Sequence, residues 1–329
     1  MSDIVIQLMV FTSKVVILFL FFLALLLTLT ALIAKGKMRF KGHILIKNLN
    51  KKYDENKQTL LAETLPKKKF KQFLKGKKKA EKLLLKSKPD KKNVYVLTFH
   101  GDIKASSVDA LREEITAVLN IATPQDEMIL RLESAGGIIH GYGLAAAQLM
   151  RVRAKKIPLT ITIDKVAASG GYMMACIADT ILCAPFAILG SIGVIVQLPN
   201  FHRYLQNKNI DFEQHTAGEF KRTITVFGEN TDEGRHKLQQ EIEDMHQMFK
   251  NLITTFRPKI DIQQVATGEY WLGQKALELK LADEIKTSDE YLFDRCKEAS
   301  VYEISYETKK TWFQKLTANA NGLIKKFQL

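Results

Sequence analysis

Ser169 lies in the stretch Asp164-Lys165-Val166-Ala167-Ala168-Ser169-Gly170-Gly171-Tyr172, between the strand-like run Ile157–Ile163 and the small-residue run Met173–Ala178. A hydroxyl flanked by Ala and Gly, where a strand gives way to a helix, is a candidate nucleophile because small neighbours leave it open to substrate. Gly170 leaves a backbone N–H free to face a developing oxyanion. An ordinary tight turn has the same composition, so the motif needs partners before it means catalysis. A second donor is available in Glu133-Ser134-Ala135-Gly136-Gly137-Ile138, where consecutive glycines either turn the chain or bring an N–H close to a ligand. Gly136 and Gly170 together would put one donor on each of two neighbouring strand ends, where open α/β sheets bind ligands.

A serine nucleophile also needs a base. The histidines are His43, His100, His140, His202, His215, His236 and His246, and none stands in a triad motif. Lysine is the alternative, since a partly desolvated ammonium loses proton affinity and can act as a base near neutral pH. Lys165 lies four residues before Ser169, and Lys221 follows the small turn Thr216-Ala217-Gly218-Glu219-Phe220. Composition leaves both open, and a surface lysine is the plain reading of either. The three cysteines, Cys176, Cys183 and Cys296, have no metal-ligand spacing; they suggest no disulfide framework and favour a reducing compartment.

The elements that must position these residues begin near residue 93. Val94–Phe99, Met128–Leu132, Ile157–Ile163 and Thr180–Cys183 read as strands, with Ile192–Val196 and Asp211–His215 as further candidates. Val108–Leu119 and Gly143–Val152 have helical spacing between them. Repeated β-α units of this length predict an α/β fold with a mostly parallel sheet covered by helices. Asn230–Arg257 predicts a long amphipathic helix capped by Thr231 and stopped by Pro258, with an apolar stripe of Leu238, Ile242, Met245, Phe249, Leu252 and Ile253. Core packing is the plain reading of that stripe, and subunit contact is the second.

Upstream, Val15–Ala34 is an uncharged run of 20 residues that reads as a transmembrane helix, longer than the apolar core of a signal peptide. Residues 35–92 carry 21 Lys and Arg against 5 Asp and Glu, a net +16, whereas the whole chain is +14. This basic segment suits anionic headgroups beside the anchor, with nucleic acid the rival polyanion and a solvated spacer the bland reading. Composition divides the chain into an anchor over 1–34, a Lys-rich juxtamembrane spacer over 35–92 and an α/β region from 93 onward. The basic residues after the helix favour a cytoplasmic soluble domain.

Five motifs then carry a resemblance: Ser134-Ala135-Gly136-Gly137, Ala167-Ala168-Ser169-Gly170-Gly171-Tyr172, Gly190-Ser191-Ile192-Gly193-Val194-Ile195, Gly218-Glu219-Phe220-Lys221-Arg222, and Trp271-Leu272-Gly273-Gln274-Lys275-Ala276 continuing to Leu281-Ala282-Asp283. In order and spacing they resemble the signal peptide peptidase A family, in its SohB branch, from about Val94 to Glu290, with a similar anchor and Lys-rich spacer. Two positions depart from the family's pattern: Ala135 stands where Pro is usual, and Lys280 where Gly is usual.

The resemblance implies a ClpP/crotonase-like serine peptidase domain over 93–290, followed by a C-terminal extension over 291–329, with a Ser/Lys dyad that needs no metal or organic cofactor. It places the nucleophile at Ser169, the general base at Lys221, the lysine-orienting serine at Ser191 and the oxyanion donors at the N–H groups of Gly136 and Gly170. Lys165 becomes a structural or groove residue. The implied partners are hydrophobic peptides, such as signal-peptide remnants or misfolded membrane-associated chains, and the lipid bilayer of a bacterial inner membrane, with no nucleic acid. The resemblance suggests an active site outside the cytoplasm, against the charge bias. Half-length relatives form rings in which a neighbour supplies the lysine, so the resemblance also implies a homo-oligomer with Lys221 acting in trans. A silent membrane scaffold on the same fold and a crotonase-type acyl-CoA enzyme are the alternatives.

Overall fold

The computed structural model describes residues 2–37, 42–87, 92–218 and 220–308. Arg39 and Lys41 of the basic stretch, Glu219 and the 309–329 part of the C-terminal extension lie outside the described residues. The chain divides into two compact units, one comprising Met1–His43 with Glu307–Leu329, the other Ile44–Tyr306.

In the first unit, α1 (Ser2–Lys37) is a single helix that starts earlier than the expected 15–34 span. Its stretch Ile6–Leu26 is long and apolar enough to cross a membrane, and none of it is buried within the protein. At about 1.5 Å per residue such a stretch matches a hydrocarbon core of about 30 Å.

The second unit opens with β1 (Gly42–Asn48), α2 (Leu49–Thr64) and α3 (Lys67–Ser87). Within the basic stretch, residues 49–64 and 67–87 are therefore helical. Lys57 lies over the Phe73 ring at 5.8 Å and Lys77 pairs with Asp54, so the apolar side of α3 meets α2. The repeating units follow as β2 (Asn93–Gly101), α4 (Val108–Leu119), β3 (Glu127–Ser134), α5 (Ile139–Ala154), β4 (Leu159–Ile163), β5 (Val166–Ala168), α6 (Gly170–Ala175), β6 (Thr180–Cys183) and β7 (Ile188–Gly190). Then come α7 (His202–Gln206), α8 (Asp232–Phe256), α9 (Ile262–Val265), β8 (Tyr270–Leu272), α10 (Gly273–Glu278), β9 (Glu284–Ile285), α11 (Ser288–Glu298) and β10 (Ser300–Thr308).

The strands form one sheet in the order β1-β10-β2-β3-β4-β6-β9, with β5, β7 and β8 branching from β3. The pairings of β2, β3, β4, β5, β6, β7, β9 and β10 with one another are parallel, and β7 with β8 is antiparallel. This is the α/β, mostly parallel architecture expected. Strand alternation divides the core. Tyr95, Leu97 and Phe99 of β2 join the large cluster with Leu111, Ile115 and Leu149, whereas Val94 and Val96 join Leu49, Leu292 and Val301 on the other face. The sheet draws on residues beyond the 93–290 span, since β1 comes from the basic stretch and β10 from the segment after residue 290.

Two expected strands do not form. Ile192–Val196 and Asp211–His215 have no regular structure, and no strand among the described residues pairs with them. β-rich side chains alone cannot sustain a strand whose N–H and C=O groups lack a neighbouring ladder. The chain leaves β7 through Ser191 at φ 51, which turns it away from the sheet. Helix α8 does form, with Thr231 Oγ1 accepting from the Gly234 N–H at 3.1 Å. Of its apolar stripe only Phe249 and Ile253 are buried; Leu238, Ile242 and Met245 are half-buried. Lys280, at the position where the resemblance leads one to expect glycine, adopts φ 62, the left-handed conformation that glycine takes without strain.

Candidate active site

β3 changes partner along its length. Met128–Arg131 pair with β4, but Ser134 pairs with Ala167 of β5, so the end of β3 is brought beside the residue two before Ser169. β5 in turn pairs with β7, setting Ala168 opposite Gly190. Between β5 and α6 the chain reverses through Ser169 at φ 50 and ψ −118, a conformation sparsely populated by any side-chain-bearing residue. Its N–H donates to the Gly190 carbonyl at 2.8 Å, and its own carbonyl accepts from the Met173 N–H at 2.9 Å. The strand-to-helix turn read from composition is thus a strained elbow held from both sides, the geometry that presents a nucleophile above a sheet.

The two candidate donors lie against this elbow. Gly136 has φ 90, and a Cβ placed there would come within 2.7 Å of the Gly170 nitrogen and 2.8 Å of Ser169 Cβ. Only glycine lets the two backbones approach so closely. Gly170 occupies the first position of α6, where a helix leaves its N–H groups without intrahelical partners. The Gly136 N–H donates to Ser134 Oγ at 3.1 Å. Ser134 Oγ lies 2.5 Å from the Tyr142 hydroxyl, which donates to the Asp102 carbonyl at 2.7 Å.

Ser169 opens into a groove of about 200 Å³ with mostly apolar walls. Gly137 to Ile139, Gly170, Val194 to Val196, and Met245 and Phe249 of α8 line it. That volume is below the roughly 300–1,000 Å³ usual for small-molecule sites.

The candidate bases are placed differently. The Lys165 ammonium sits 3.0 Å from both oxygens of Glu133, an ion pair at the surface that occupies it. Lys221 is exposed on an irregular stretch, its N–H donating to the Gly218 carbonyl at 3.2 Å. Its ammonium has no hydrogen bond or ion pair with the described residues, and it does not line the groove. Ser191, at φ 51, is held by its N–H donating to the Glu269 carbonyl at 2.6 Å. The structure therefore brings Ser169, Gly136 and Gly170 together, with the Gly136 N–H turned to Ser134 Oγ and its neighbour Gly137 lining the groove, and leaves Lys221 outside that cluster.

The same irregular stretch is rich in exposed apolar side chains. Ile195, Tyr204, Ile210, Phe212 and Phe220 all face solvent, Ile195 at 75% and Tyr204 at 61%. Elsewhere the chemistry is quiet. Burial pushes the Cys176 thiol up to about 12 and the Cys183 thiol to about 11, which keeps both protonated and unreactive. Among the described residues no group of three or more His, Cys, Asp or Glu is placed to hold a metal ion. The sequence reading missed Tyr142, whose fully buried ring reads as core in any periodicity pattern.

Comparison with known proteins places these features in context. Residues 3–149 match the model of the peptidase family S49 N-terminal region, and residues 151–302 match peptidase family S49. A probable protease SohB of Haemophilus influenzae is 47% identical over 313 residues, covering 91% of this chain and 89% of that protein. A probable protease SohB of Buchnera aphidicola is 53% identical over 237 residues, covering 72% of this chain and 70% of its own. Among solved structures, a mutant of the 1510-N membrane-bound stomatin-specific protease in complex with a substrate peptide gives a TM-score of 0.44 at 15% identity, over 70% of this chain and 99% of that one.

Proposed function

The chain belongs to peptidase family S49, and on that premise we propose that it is a membrane-anchored serine endopeptidase working through Ser169 and Lys221. Serine peptidase activity follows from the family and its SohB relatives. The observation that carries the residue assignment is the elbow: Ser169 is held at a positive φ with the Gly136 backbone beside it and the apolar groove in front.

In this reading Lys221 takes the Ser169 proton as Oγ attacks the peptide carbonyl. The Gly170 N–H, with a second N–H from the Gly136-Gly137 turn, stabilises the oxyanion, a contribution worth about 3 kcal/mol per donor in comparable sites. Lys221 then protonates the leaving amine, and water resolves the acyl-enzyme. Ser191 orients Lys221. The apolar groove supports hydrophobic peptides as substrates, such as signal-peptide remnants or misfolded membrane-associated chains. The stretch Ile6–Leu26 supports a single N-terminal anchor in a bacterial inner membrane.

Lys221 lies on an exposed stretch with uncovered apolar residues and away from the groove. That supports a homo-oligomer in which a neighbouring copy covers this stretch and Lys221 serves the neighbour's Ser169. The test of the dyad is hydrolysis of a fluorogenic hydrophobic peptide by detergent-purified protein at matched oligomeric state. Ser169→Ala and Lys221→Ala should each lose about 10³-fold or more in kcat, on the scale seen when a nucleophile or its base is removed. Lys165→Ala should stay within about two-fold, as expected for an exposed ion pair remote from the chemistry. Full activity in Ser169→Ala would sink the assignment.

A further inference from the structure

The hydrogen bonds behind Gly136 run in one direction only. A carbonyl oxygen cannot donate, so the single Tyr142 hydroxyl proton is committed to the Asp102 carbonyl at 2.7 Å. The 2.5 Å contact between Ser134 Oγ and the Tyr142 oxygen must then have Ser134 as donor. Ser134 Oγ is left with lone pairs only, and one accepts the Gly136 N–H at 3.1 Å. The chain reads Gly136 N–H to Ser134, Ser134 O–H to Tyr142, Tyr142 O–H to Asp102.

The same tyrosine also meets the other donor. A Cβ on Gly170 would run into the Tyr142 ring, coming within 2.7 Å of its Cδ2 and 2.8 Å of its Cβ, so the Gly170 backbone rests directly on that ring. A Cβ on Gly101 would strike both Ser134 Oγ and the Tyr142 hydroxyl, so glycine at the end of β2 leaves the room these groups occupy. The far end of the chain is itself fixed. Asp102 holds Ser106 through its carboxylate at 2.7 Å to the N–H and 2.8 Å to the hydroxyl, and the Ile103 carbonyl accepts the Ile138 N–H at 2.8 Å. Tyr142 is fully buried and Ser134 almost so, which makes each unmade hydrogen bond here costly and keeps the chain in one arrangement. Burial also raises the Tyr142 pKa, so the phenol remains a donor at neutral pH.

We propose that Tyr142 and Ser134 are positioning residues of the oxyanion hole, Tyr142 setting the Gly170 N–H through its ring and, through its hydroxyl and Ser134, pinning the Gly136 backbone that packs against Ser169 and Gly170. This rests on the oxyanion reading of the Gly136 and Gly170 turns. With its N–H held by Ser134 Oγ at 3.1 Å, Gly136 keeps one conformation, and the Gly136-Gly137 turn is fixed beside the groove that Gly137 and Gly170 line.

The experiment uses the full chain in detergent with a fluorogenic hydrophobic peptide and a peptide boronate, whose adduct with the serine puts an oxygen in the hole. Tyr142→Phe keeps the ring under Gly170 and removes the hydroxyl; Ser134→Ala removes the acceptor. Each should lower kcat about 10- to 100-fold, short of the 10²–10³ lost with a donor itself, and leave KM within about two-fold. Boronate affinity should weaken in step with kcat, while peptide binding measured in the Ser169→Ala background stays unchanged by Tyr142→Phe. The double variant should be no slower than the slower single one, because both break one chain. Unchanged kcat and boronate affinity in Tyr142→Phe would overturn the proposal, as would a rise in KM with kcat preserved. Ser169→Ala separates the two levels. If it remains active, the nucleophile assignment fails. If it is inactive while Tyr142→Phe and Ser134→Ala turn over normally, only the positioning role fails. Should Ser134→Ala not fold, Tyr142→Phe decides alone.

Discussion

The elbow and the stretch carrying Lys221 are built in opposite ways. Ser169 is fixed by backbone hydrogen bonds to Gly190 and Met173, with Gly136 and Gly170 packed against it and a buried tyrosine beneath. Among the described residues between Ile192 and Asn230 there is one five-residue helix, α7, and the apolar side chains Tyr204, Ile210, Phe212 and Phe220 face solvent. On the proposed assignment, one half of the site is thus internal to the fold and the other half is presented on its surface. Ser169 and its donors, so assigned, need only this chain's core, whereas Lys221 would depend on a neighbour covering the exposed stretch.

The largest effect should come from mixing. Inactive Ser169→Ala and Lys221→Ala proteins, co-assembled and shown to share oligomers, should recover peptide hydrolysis if Lys221 acts across an interface. Mixed oligomers that stay inactive would return the base to its own chain and narrow the contrast between the two regions.

Gly136→Ala comes next and probes the internal half. A methyl there would press on Gly170 N and Ser169 Cβ and must tolerate φ 90, so kcat should drop about 10²–10³-fold with little change in quaternary state. Steady-state kinetics alongside sedimentation would check it. Loss of assembly instead of turnover would show that the two halves are not separable.

The smallest effect concerns the core alone. Glu114 on α4 is buried, and burial pushes its carboxyl up to about 7, against which its bond from the Tyr306 N–H at 2.8 Å works only partly. A carboxyl whose folded pKa exceeds its unfolded value binds more protons when folded, so stability falls as pH rises from about 4.5 to 7 and the penalty is complete above 7. Glu114→Gln should raise stability at pH 8 by on the order of 2 kcal/mol and change little at pH 4. Urea unfolding at both values would read it. Peptide hydrolysis should not change, since Glu114 lies outside the groove.

Much of the molecule was legible in the residues. Alternating apolar runs and helical spacing marked β2, α4, β3, α5, β4 and β6 because each buries a continuous face against a neighbour. Thr231 and Pro258 marked α8 because capping is a local interaction. Ile192–Val196 and Asp211–His215 misled because strand formation depends on a partner ladder that composition does not encode. The basic stretch looked like a spacer because charge hid the pairing of α3 with α2 through Phe73 and Lys77.

For the candidate site the division is similar. Ser169 between Ala168 and Gly170, and Gly136 before Gly137, are written in residue type, since only small residues permit a tight elbow and a close backbone approach. Whether Lys165 or Lys221 was free to act was not. Tertiary structure engaged Lys165 with Glu133, 32 residues away, and left the Lys221 ammonium unpaired among the described residues. It also set Tyr142 beneath Gly170 and in line with Ser134 and Asp102. Local conformation is decided by neighbours in the chain, and so it can be read from them. Hydrogen-bond partners brought together from separate strands and helices exist only once the sheet has closed.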